Sequence, residues 1–385
     1  MTNRLTQFLN GSAPSLTAGL LLAVFSLTAS PGHVQAQPPA TTPAERATEQ
    51  SAKPAGIVTA RFFDVGQGDA TLLTGPDFAI LIDAGRHDRD DVVPLLKKAG
   101  IEKIDLLIGT HAHADHIGQF PQVLAAFPVA EVWLSGDEHT SRTFERAIDA
   151  ILDSDADFHE PRAGEKVRIG SARVEVLNPK TLTDDLHKNC IGVRIAFGYV
   201  AFVFTGDIEH DIETKILERG HEVGAQILQL GHHGSRTSSS LAFLRAVDPE
   251  IAIYSAEKDS RYGHPHDEVV ERVANLGIKL YGTPKHGTIR VFTNGATYKV
   301  MTERNRPARG PPTEPTEDGC PEGKVDINTA SVEELMQIIH IGRGRAAQLI
   351  RLRPFRSVDG LRRINGIGAG RLRDIKSQGL ACVPQ

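Results

Sequence analysis

The sequence is poor in cysteine and in aromatic residues, and each shortage argues against one class of protein. Three cysteines in 385 residues are too few for a fold that is built on disulfide bonds. Aromatic residues at 5% argue against an extended platform for stacking nucleic-acid bases. Hydrophobic residues reach 40%, which is enough for a buried core, and the length predicts two or three folded units.

Apolar runs long enough to cross a membrane are also missing. Leu16–Leu27 is apolar, but it is shorter than the roughly 20 residues that span a bilayer. With Arg4 before it and Val34-Gln35-Ala36 after it, this run is typical of a secretory signal peptide, and a retained membrane anchor is the alternative. We expect cleavage after Ala36, a mature protein without a stable membrane span, and a secreted or periplasmic location.

Two polar stretches divide the rest of the chain. Residues 37–55 and 303–319 are rich in Pro, Ala, Thr and Glu and lack apolar periodicity, so we expect a flexible leader and a linker. Residues 56–302, here called the body, alternate short aliphatic runs with helical patterns, which predicts a layered α/β domain. Residues 320–385 form a separate tail.

Potential metal ligands collect in the body where apolar runs end. The clusters are His111, His113, Asp115 and His116 after Ile104–Thr110, Asp207 after Phe202–Thr205, and His232 with His233 after Ile227–Leu230. Imidazole and carboxylate groups suit Zn, Mn or Fe and need no thiolate. A solvated histidine-rich loop is the alternative, but three such clusters at predicted strand ends favour a metal centre.

Six short motifs are spread along the body. They are Asp-Val-Gly-Gln-Gly-Asp at 64–69, Leu-Ile-Asp-Ala-Gly at 81–85, His-Ala-His-Ala-Asp-His at 111–116, Phe-Thr-Gly-Asp at 204–207, Gly-His-His-Gly-Ser at 231–235 and Tyr-Gly-His-Pro-His at 262–266. Together they resemble the metallo-β-lactamase superfamily, and within it the ComEC-type hydrolase domain. The resemblance covers nearly all of the body, and it implies an α/β fold of the αββα sandwich type that holds two divalent metal ions, Zn or Mn.

The resemblance also implies the ligand set. One ion would take His111 and His113, the other would take Asp115, His116 and His232, and Asp207 would bridge both ions. Asp115 and Asp207 are therefore also catalytic candidates. Many superfamily members supply a third histidine to the first ion; here Asn189 stands near that position, and His187 is its rival. His233 is the alternative to His232 and is otherwise a candidate to contact substrate.

Other polar residues of the body are candidates for supporting roles. Asp83 ends the apolar run Phe78–Asp83 and is predicted to fix a ligand imidazole, with a turn or a helix cap as the alternative. Ser235 and His264 are candidates to bind a phosphate or to protonate a leaving oxygen. Two divalent ions can activate water near neutral pH and neutralise charge on a phosphate, so the ligands predict hydrolysis and not redox chemistry.

The tail differs from the body in charge. It contains eleven Lys and Arg residues and six acidic residues, so it has a surplus of five positive charges. The whole chain has a net charge of −5, which leaves −10 on the other residues. A basic segment of this kind favours binding to nucleic-acid phosphates, because it releases their counterions.

Two glycine-rich turns repeat in the tail, each before a helical pattern. The turns contain Gly342, Gly344 and Arg345 in the first copy, and Gly366, Gly368, Gly370 and Arg371 in the second. Such turns expose backbone N–H groups to an anion. With the segments at 325–330 and 331–335, they resemble a paired helix-hairpin-helix domain of the ComEA type, which implies sequence-independent binding of DNA. The first turn has His340 where that family usually has Gly, and a small helical protein-docking module is the alternative.

These features together predict an exported metal-dependent phosphodiesterase, a DNA nuclease whose tail holds DNA at the metal centre. One alternative is a hydrolase of a non-nucleic phosphodiester, such as a phosphocholine-bearing wall polymer. Another is a non-catalytic DNA-binding protein whose metal is structural. An oxidising compartment permits a disulfide between Cys320 and Cys382 at the ends of the tail, which would leave Cys190 as a small buried residue. The sequence identifies no protein partner.

Overall fold

Two stretches of the chain are described by a computed structural model, residues 56–304 and most of the tail, namely 320–321, 323–355 and 357–383. The predicted signal peptide, the predicted leader and residues 305–319 of the predicted linker lie outside these ranges. Across the described ranges, no helix has the length and apolar character needed to cross a membrane.

The strands of the body are short and mostly buried. They are β1 (Val58–Phe62), β2 (Thr71–Thr74), β3 (Ala79–Ile82), β4 (Leu106–Ile108), β5 (Glu131–Trp133), β6 (Asp157–His159), β7 (Lys166–Ile169), β8 (Ala172–Asn178), β9 (Gly192–Phe197), β10 (Val200–Phe204), β11 (Ile227–Gln229), β12 (Ile251–Tyr254), β13 (Lys279–Gly282), β14 (Ile289–Thr293) and β15 (Tyr298–Thr302). They form an eight-stranded sheet in the order β15-β14-β1-β2-β3-β4-β5-β6 and a seven-stranded sheet in the order β13-β12-β11-β10-β9-β8-β7.

Helices cover the outer faces of both sheets. They are α1 (Val92–Lys98), α2 (Phe120–Ala126), α3 (Arg142–Leu152), α4 (His210–Glu218), α5 (Leu241–Val247), α6 (Asp267–Asn275) and the single turn α7 (Thr283–His286). One apolar core lies between the sheets, a second lies between the eight-stranded sheet and α1 to α3, and a third lies between the seven-stranded sheet and α4 to α6. These four layers confirm the predicted αββα sandwich.

Burial on both faces explains why several strands are uniformly apolar. Every residue of β3 and of β10 is buried, as expected for strands with a layer of side chains on each side. Strands β3 to β6 run parallel to one another, and so do β10 to β13. Parallel neighbours end at the same edge of a sheet, so the loops that follow β3 and β4 meet, and so do those that follow β10, β11 and β12.

The tail is a helical unit with its own core. It contains α8 (Val332–Leu335), α9 (Arg343–Arg351), a 3₁₀ segment (Val358–Arg363) and α10 (Ala369–Gln378), packed around buried aliphatic side chains and Phe355. The resemblance to a helix-hairpin-helix domain implies a small all-α tail, and the structure adds to its helices two short strands, β16 (Val325–Asp326) and β17 (Ala381–Cys382), which pair in parallel. A disulfide joins Cys320 to Cys382, and Cys190 is a free, buried thiol.

The body continues two residues beyond its predicted end at Thr302. The backbone N–H of Glu303 donates to Thr288 O, and its carboxylate accepts from the Thr288 N–H at 3.0 Å. Arg304 forms an ion pair with Asp64 at 2.5 Å. We therefore propose Arg304 as the boundary of the body, in place of Thr302.

Candidate metal centre

The candidate site lies where the strand ends of the two sheets face each other. From the eight-stranded sheet, β3 leads into Asp83 and β4 leads into residues 109–116. From the seven-stranded sheet, β10 leads into Asp207 and β11 leads into a 3₁₀ turn, Gly231–Gly234. The fold thus brings together the three clusters that the sequence separates by many residues.

The first group of ligand atoms consists of His111, His113, His187 and Asp207, which lie within 4.8 Å of one another. His111 Nε2 is 2.8 Å from His113 Nδ1 and 3.6 Å from Asp207 Oδ2. The His187 ring lies edge-on to the rings of His111 and His113. Four side chains of ligand type therefore converge here.

The second group consists of Asp69, His116, Asp207 and His233, again within 4.8 Å of one another, and all four are buried. Asp207 Oδ1 is 3.4 Å from His116 Nε2 and 3.8 Å from His233 Nε2. Asp115 joins this group from the open side, with Oδ2 3.4 Å from His233 Nε2. Asp207 is common to both groups and turns a different carboxylate oxygen to each.

The two neighbouring histidines of the Gly-His-His-Gly-Ser motif exchange their predicted positions. His233, expected to contact substrate, is the one that joins His116 and Asp207. His232, expected in that place, turns towards the first group, with Nε2 3.6 Å from Asp207 Oδ2 and Nδ1 3.8 Å from Glu209. We therefore propose His233, in place of His232, as the ligand that accompanies His116 and Asp207.

Asn189 lies outside both groups, although it was the first candidate to complete the first one. Its side-chain NH₂ donates to Asp137 at 2.5 Å and to Thr183 O, and its Oδ1 accepts from the Thr183 N–H at 2.8 Å. These bonds fix the loop on which the rival candidate, His187, reaches the site. Asn189 is thus engaged in holding a loop, and its rival His187 is the candidate that lies among the ligand-type atoms of the first group.

Unpaired polar atoms test whether a cation fits this site. In the described part of the chain, buried side-chain atoms that lack a hydrogen bond include Asp69 Oδ1, His116 Nε2, Asp207 Oδ1 and His233 Nε2. Leaving buried polar atoms without partners is costly, and a bound cation would satisfy all four at once. Because these atoms come from the four residues of the second group, the donor set fits a divalent metal ion.

Asp83 supports the centre from behind. Its carboxylate accepts hydrogen bonds from the backbone N–H and the hydroxyl of Thr110, both at 2.8 Å, and lies 2.8 Å from His116 Nδ1. A carboxylate on Nδ1 leaves Nε2 to face the site and fixes the ring orientation. This position is the one expected for Asp83 from the sequence.

Burial and the neighbouring imidazoles shift the pKa of the buried carboxylates Asp69 and Asp207 in opposite directions. Burial raises the pKa of Asp69 to about 6, although His233 and His116 oppose the rise. Burial also disfavours the charged form of Asp207, but His116 and the other imidazoles around it hold its pKa below the usual value. Asp207 is therefore anionic at neutral pH and is held among rings that carry nitrogen ligands.

The remaining predicted site residues are near the centre but have different surroundings. The Ser235 N–H donates to His232 O and its hydroxyl lies 3.1 Å from Thr237 Oγ1, so this buried residue has no N–H to offer a phosphate. His264 is partly exposed, and its ring centroid is 5.7 Å from that of His232. Burial and the neighbouring His233 and His232 lower the pKa of His264 to about 4.

Sequence reasoning assigned no role to Asp69 or Glu209. Asp69 ends the motif at 64–69, which contributes to the family resemblance but does not by itself indicate a metal ligand. Glu209 lies 3.9 Å from His187 Nδ1 and 3.8 Å from His232 Nδ1, and these two residues and Glu209 form a third possible ligand group. Nothing in the sequence connects Glu209 with those histidines, because the contact depends on the fold.

In the tail, the two predicted glycine turns occupy equivalent positions. Gly342 and Gly368 are the N-caps of α9 and α10, and the glycines at 344 and 370 lie within the first turns of these helices. His340 adopts φ +66°, close to the +82° of Gly366, so it follows the backbone path of the glycine it replaces. Arg345 donates to His340 O and Asn365 O and joins the two turns, while Arg371 donates to Gly366 O.

Comparisons with known proteins agree with this architecture. The metallo-beta-lactamase superfamily profile matches residues 63–257, and a helix-hairpin-helix motif profile matches residues 321–378. ComE operon protein 3 of Bacillus subtilis (strain 168) is 28% identical over 248 residues, which cover 59% of this chain and 32% of that protein. Competence protein ComA of Neisseria gonorrhoeae is 32% identical over 231 residues, which cover 59% of this chain and 31% of that protein.

A third relative matches over a shorter stretch. A deoxyribonuclease of Thioalkalivibrio sp. (strain K90mix) is 48% identical over 67 residues, which cover 17% of this chain and 18% of that protein. The chain thus spans about a third or less of each of these relatives. The superfamily profile, however, matches half of this chain, and the fold and the ligand-type side chains at its strand ends agree with that profile. The chain therefore belongs to the metallo-beta-lactamase superfamily, with a helix-hairpin-helix motif in its tail.

Proposed function

We propose that this superfamily hydrolase is an exported phosphodiesterase that uses two divalent cations and cleaves DNA. The observation that carries the proposal is the pair of ligand groups that share Asp207, in a chain whose tail is basic and has a helix-hairpin-helix motif. The names of the relatives, two competence-related proteins and a deoxyribonuclease, support a nucleic-acid substrate.

The ligand-type residues form two sets, and each set would hold one divalent cation, either Zn²⁺ or Mn²⁺. His111, His113, His187 and Asp207 would hold the first cation, and Asp115, His116, His233 and Asp207 the second. Two divalent cations supply a nucleophile from water near neutral pH and neutralise negative charge on a phosphate. Asp207 turns one carboxylate oxygen to each group and is thereby the residue on which both positions depend.

The partly exposed histidines of the site are suited to contact the substrate. His232 and His264 lie side by side next to the ligand groups. Because the pKa of His264 is lowered to about 4, its ring is neutral at neutral pH. We therefore assign His264 to hydrogen bonding with a phosphate oxygen and not to proton donation.

The tail supplies binding of DNA without sequence readout. The glycine turns at the N-termini of α9 and α10 present backbone N–H groups, and Arg343 and Arg373 are exposed on these helices. Such contacts go to phosphates, so they position a duplex but carry no base specificity. The disulfide between Cys320 and Cys382 supports export, since disulfides persist in oxidising compartments.

Cleavage of supercoiled plasmid by the purified mature chain tests the activity. We expect cleavage with Mn²⁺ or Zn²⁺, and loss of at least a hundredfold in rate for Asp207→Asn, because a carboxylate shared by both positions becomes neutral. Asp105→Asn is the matched control, since Asp105 lies in the same domain and its carboxylate accepts hydrogen bonds from the Ala79 N–H and from Lys103, away from the ligand groups. Cleavage of a small phosphodiester but never of DNA would favour a wall-polymer hydrolase instead.

Binding of a duplex at several salt concentrations tests the tail. We expect Arg343→Gln with Arg373→Gln to weaken binding equally for unrelated sequences and to reduce the salt dependence by about one ion per lost phosphate contact. Cleavage of a small diester should be unchanged in this variant. DNA binding that is unaffected in both strength and salt dependence would contradict the role of the tail, and binding with no turnover under any metal would favour a non-catalytic protein.

A further inference from the structure

Asp69 is a buried carboxylate in the metal centre that the proposed ligand set leaves without a role. It is only 3% exposed, and its Oδ1 has no hydrogen-bond partner among the described residues. The same oxygen lies 3.8 Å from His233 Nδ1, and Asp69 belongs to the ligand group of His116, Asp207 and His233. We propose that Asp69 is a direct ligand of the second cation, and that it makes this position oxygen-rich and selective for Mn²⁺ over Zn²⁺.

The backbone around Asp69 is built to deliver this side chain to the site. The Asp69 N–H donates to Asp115 O, and Asp69 O accepts from the Gly85 N–H. A Cβ on Gly68 would lie 2.1 Å from Asp115 O, and Gly68 has φ +109°, so only glycine allows this close approach. The loop that carries Asp69 is therefore packed directly on the loop that carries Asp115 and His116.

Two other roles for Asp69 fit the contacts less well. If Asp69 only oriented His233, it would accept from Nδ1, but that atom is closer to Ser255 O, at 3.1 Å, than to Asp69, at 3.8 Å. If Asp69 were a structural carboxylate, its Oδ1 would have a donor within reach, as Asp83 has in Thr110. A charged carboxylate that is buried without a donor is costly, and a cation bound among Asp69, His116, Asp207 and His233 would relieve this cost.

The composition of the ligand set determines which cation is favoured. With Asp69, the second position has three carboxylates, from Asp69, Asp115 and Asp207, and two imidazoles, from His116 and His233. Carboxylate-rich sets with more than four ligands suit Mn²⁺, whereas Zn²⁺ prefers four ligands in a tetrahedron with nitrogen or sulfur donors. The first position has three imidazoles and one carboxylate, which suits Zn²⁺ better. The two positions therefore differ in preference.

Metal binding by the full-length protein tests this inference, which rests on the proposed function only for the existence of the two cation positions. Calorimetry and Mn²⁺ electron paramagnetic resonance would be recorded on the wild type, on Asp69→Asn and on the control Asp105→Asn. We expect Asp69→Asn to bind Mn²⁺ at least tenfold more weakly at one of two positions, while Zn²⁺ binding changes much less. Asp105→Asn should match the wild type.

The outcomes separate this inference from the proposed function. Unchanged Mn²⁺ affinity and stoichiometry in Asp69→Asn would overturn the assignment of Asp69, even where the wild type cleaves DNA. Wild-type protein that does not bind a pair of cations would overturn both the proposed function and the inference on Asp69. That result comes from the wild type alone, before any variant is made. If Asp69→Asn does not fold, anomalous diffraction from wild-type crystals with Mn²⁺ decides: a metal outside coordination distance of the Asp69 carboxylate overturns the inference.

Discussion

At the residue scale, the centre depends on side chains that are fixed by hydrogen bonds from outside it. Asp83 is the clearest case. It has a left-handed backbone with φ +58°, accepts two hydrogen bonds from Thr110, and faces His116 Nδ1. These three contacts determine which nitrogen of His116 is available, so the charge of Asp83 matters even though it is no proposed ligand.

We expect Asp83→Asn to weaken metal binding about ten- to hundredfold, as is usual when a residue that orients a ligand is changed. Asparagine tolerates the left-handed backbone, but its NH₂ group would face the donors of Thr110 or His116. Calorimetry with Mn²⁺ and Zn²⁺ measures the effect, and circular dichroism checks the fold. Asp77→Asn is the control, because Asp77 is exposed and bonds to Ser171. Equal metal affinity in both variants would contradict the role of Asp83.

Which residues form the two ligand groups could be predicted only in part from the sequence. The strand-end clusters and Asp83 were visible as motifs, because each follows an apolar run directly. The choice between His232 and His233 was not visible, because both have left-handed backbones, with φ +51° and +58°, and so project in directions that sequence spacing does not determine. That His187 and not Asn189 lies in the first group was not visible for a similar reason, since the loop that carries both is fixed by hydrogen bonds of Asn189.

At the element scale, strands that are buried along their whole length were predictable, and strands that are buried only in part were harder to predict. Strand β10 is uniformly buried and contains most of the apolar run Phe202–Thr205 from which a strand was predicted, and β4 and β11 likewise lie within the runs Ile104–Thr110 and Ile227–Leu230. Strand β7 alternates between exposed and partly buried residues, and β15 is only partly buried, so neither has an apolar run to reveal it. Both lie at the edge of their sheet, where one side has no neighbouring strand and apolar character is not required.

The first hairpin of the tail allows a test at this scale. His340 has φ +66°, a conformation that glycine adopts freely and that β-branched residues avoid. We expect His340→Val to lower the free energy of unfolding of the tail by about 1–2 kcal/mol, and His340→Gly to lower it much less. Urea unfolding followed by far-ultraviolet circular dichroism compares the two. Equal destabilisation would mean that the effect comes from the lost contact with Asp374 and not from the backbone.

At the scale of the whole molecule, the body and the tail achieve stability in different ways. The body has three apolar cores between four layers, whereas the tail has one small core. Small units bury a lower fraction of their surface and commonly need a further constraint. The disulfide provides it, because it joins cysteines 62 residues apart and lies next to the short parallel pair β16 and β17.

Removing the disulfide should therefore destabilise the tail and leave the body unchanged. We expect Cys320→Ser with Cys382→Ser to lower the free energy of unfolding of the tail by about 2–4 kcal/mol, because the unfolded tail gains freedom. Trp133 is the only tryptophan of the chain and is buried in the body, so its fluorescence reports on the body alone. The unfolding transition of the body, followed by Trp133 fluorescence, should not change. The unfolding transition of the tail, followed by circular dichroism, should shift. As a control, a reducing agent should destabilise the tail of the wild type but not the tail of the variant. If the fluorescence transition shifts as much as the dichroism transition, the body and the tail unfold together and the prediction is wrong.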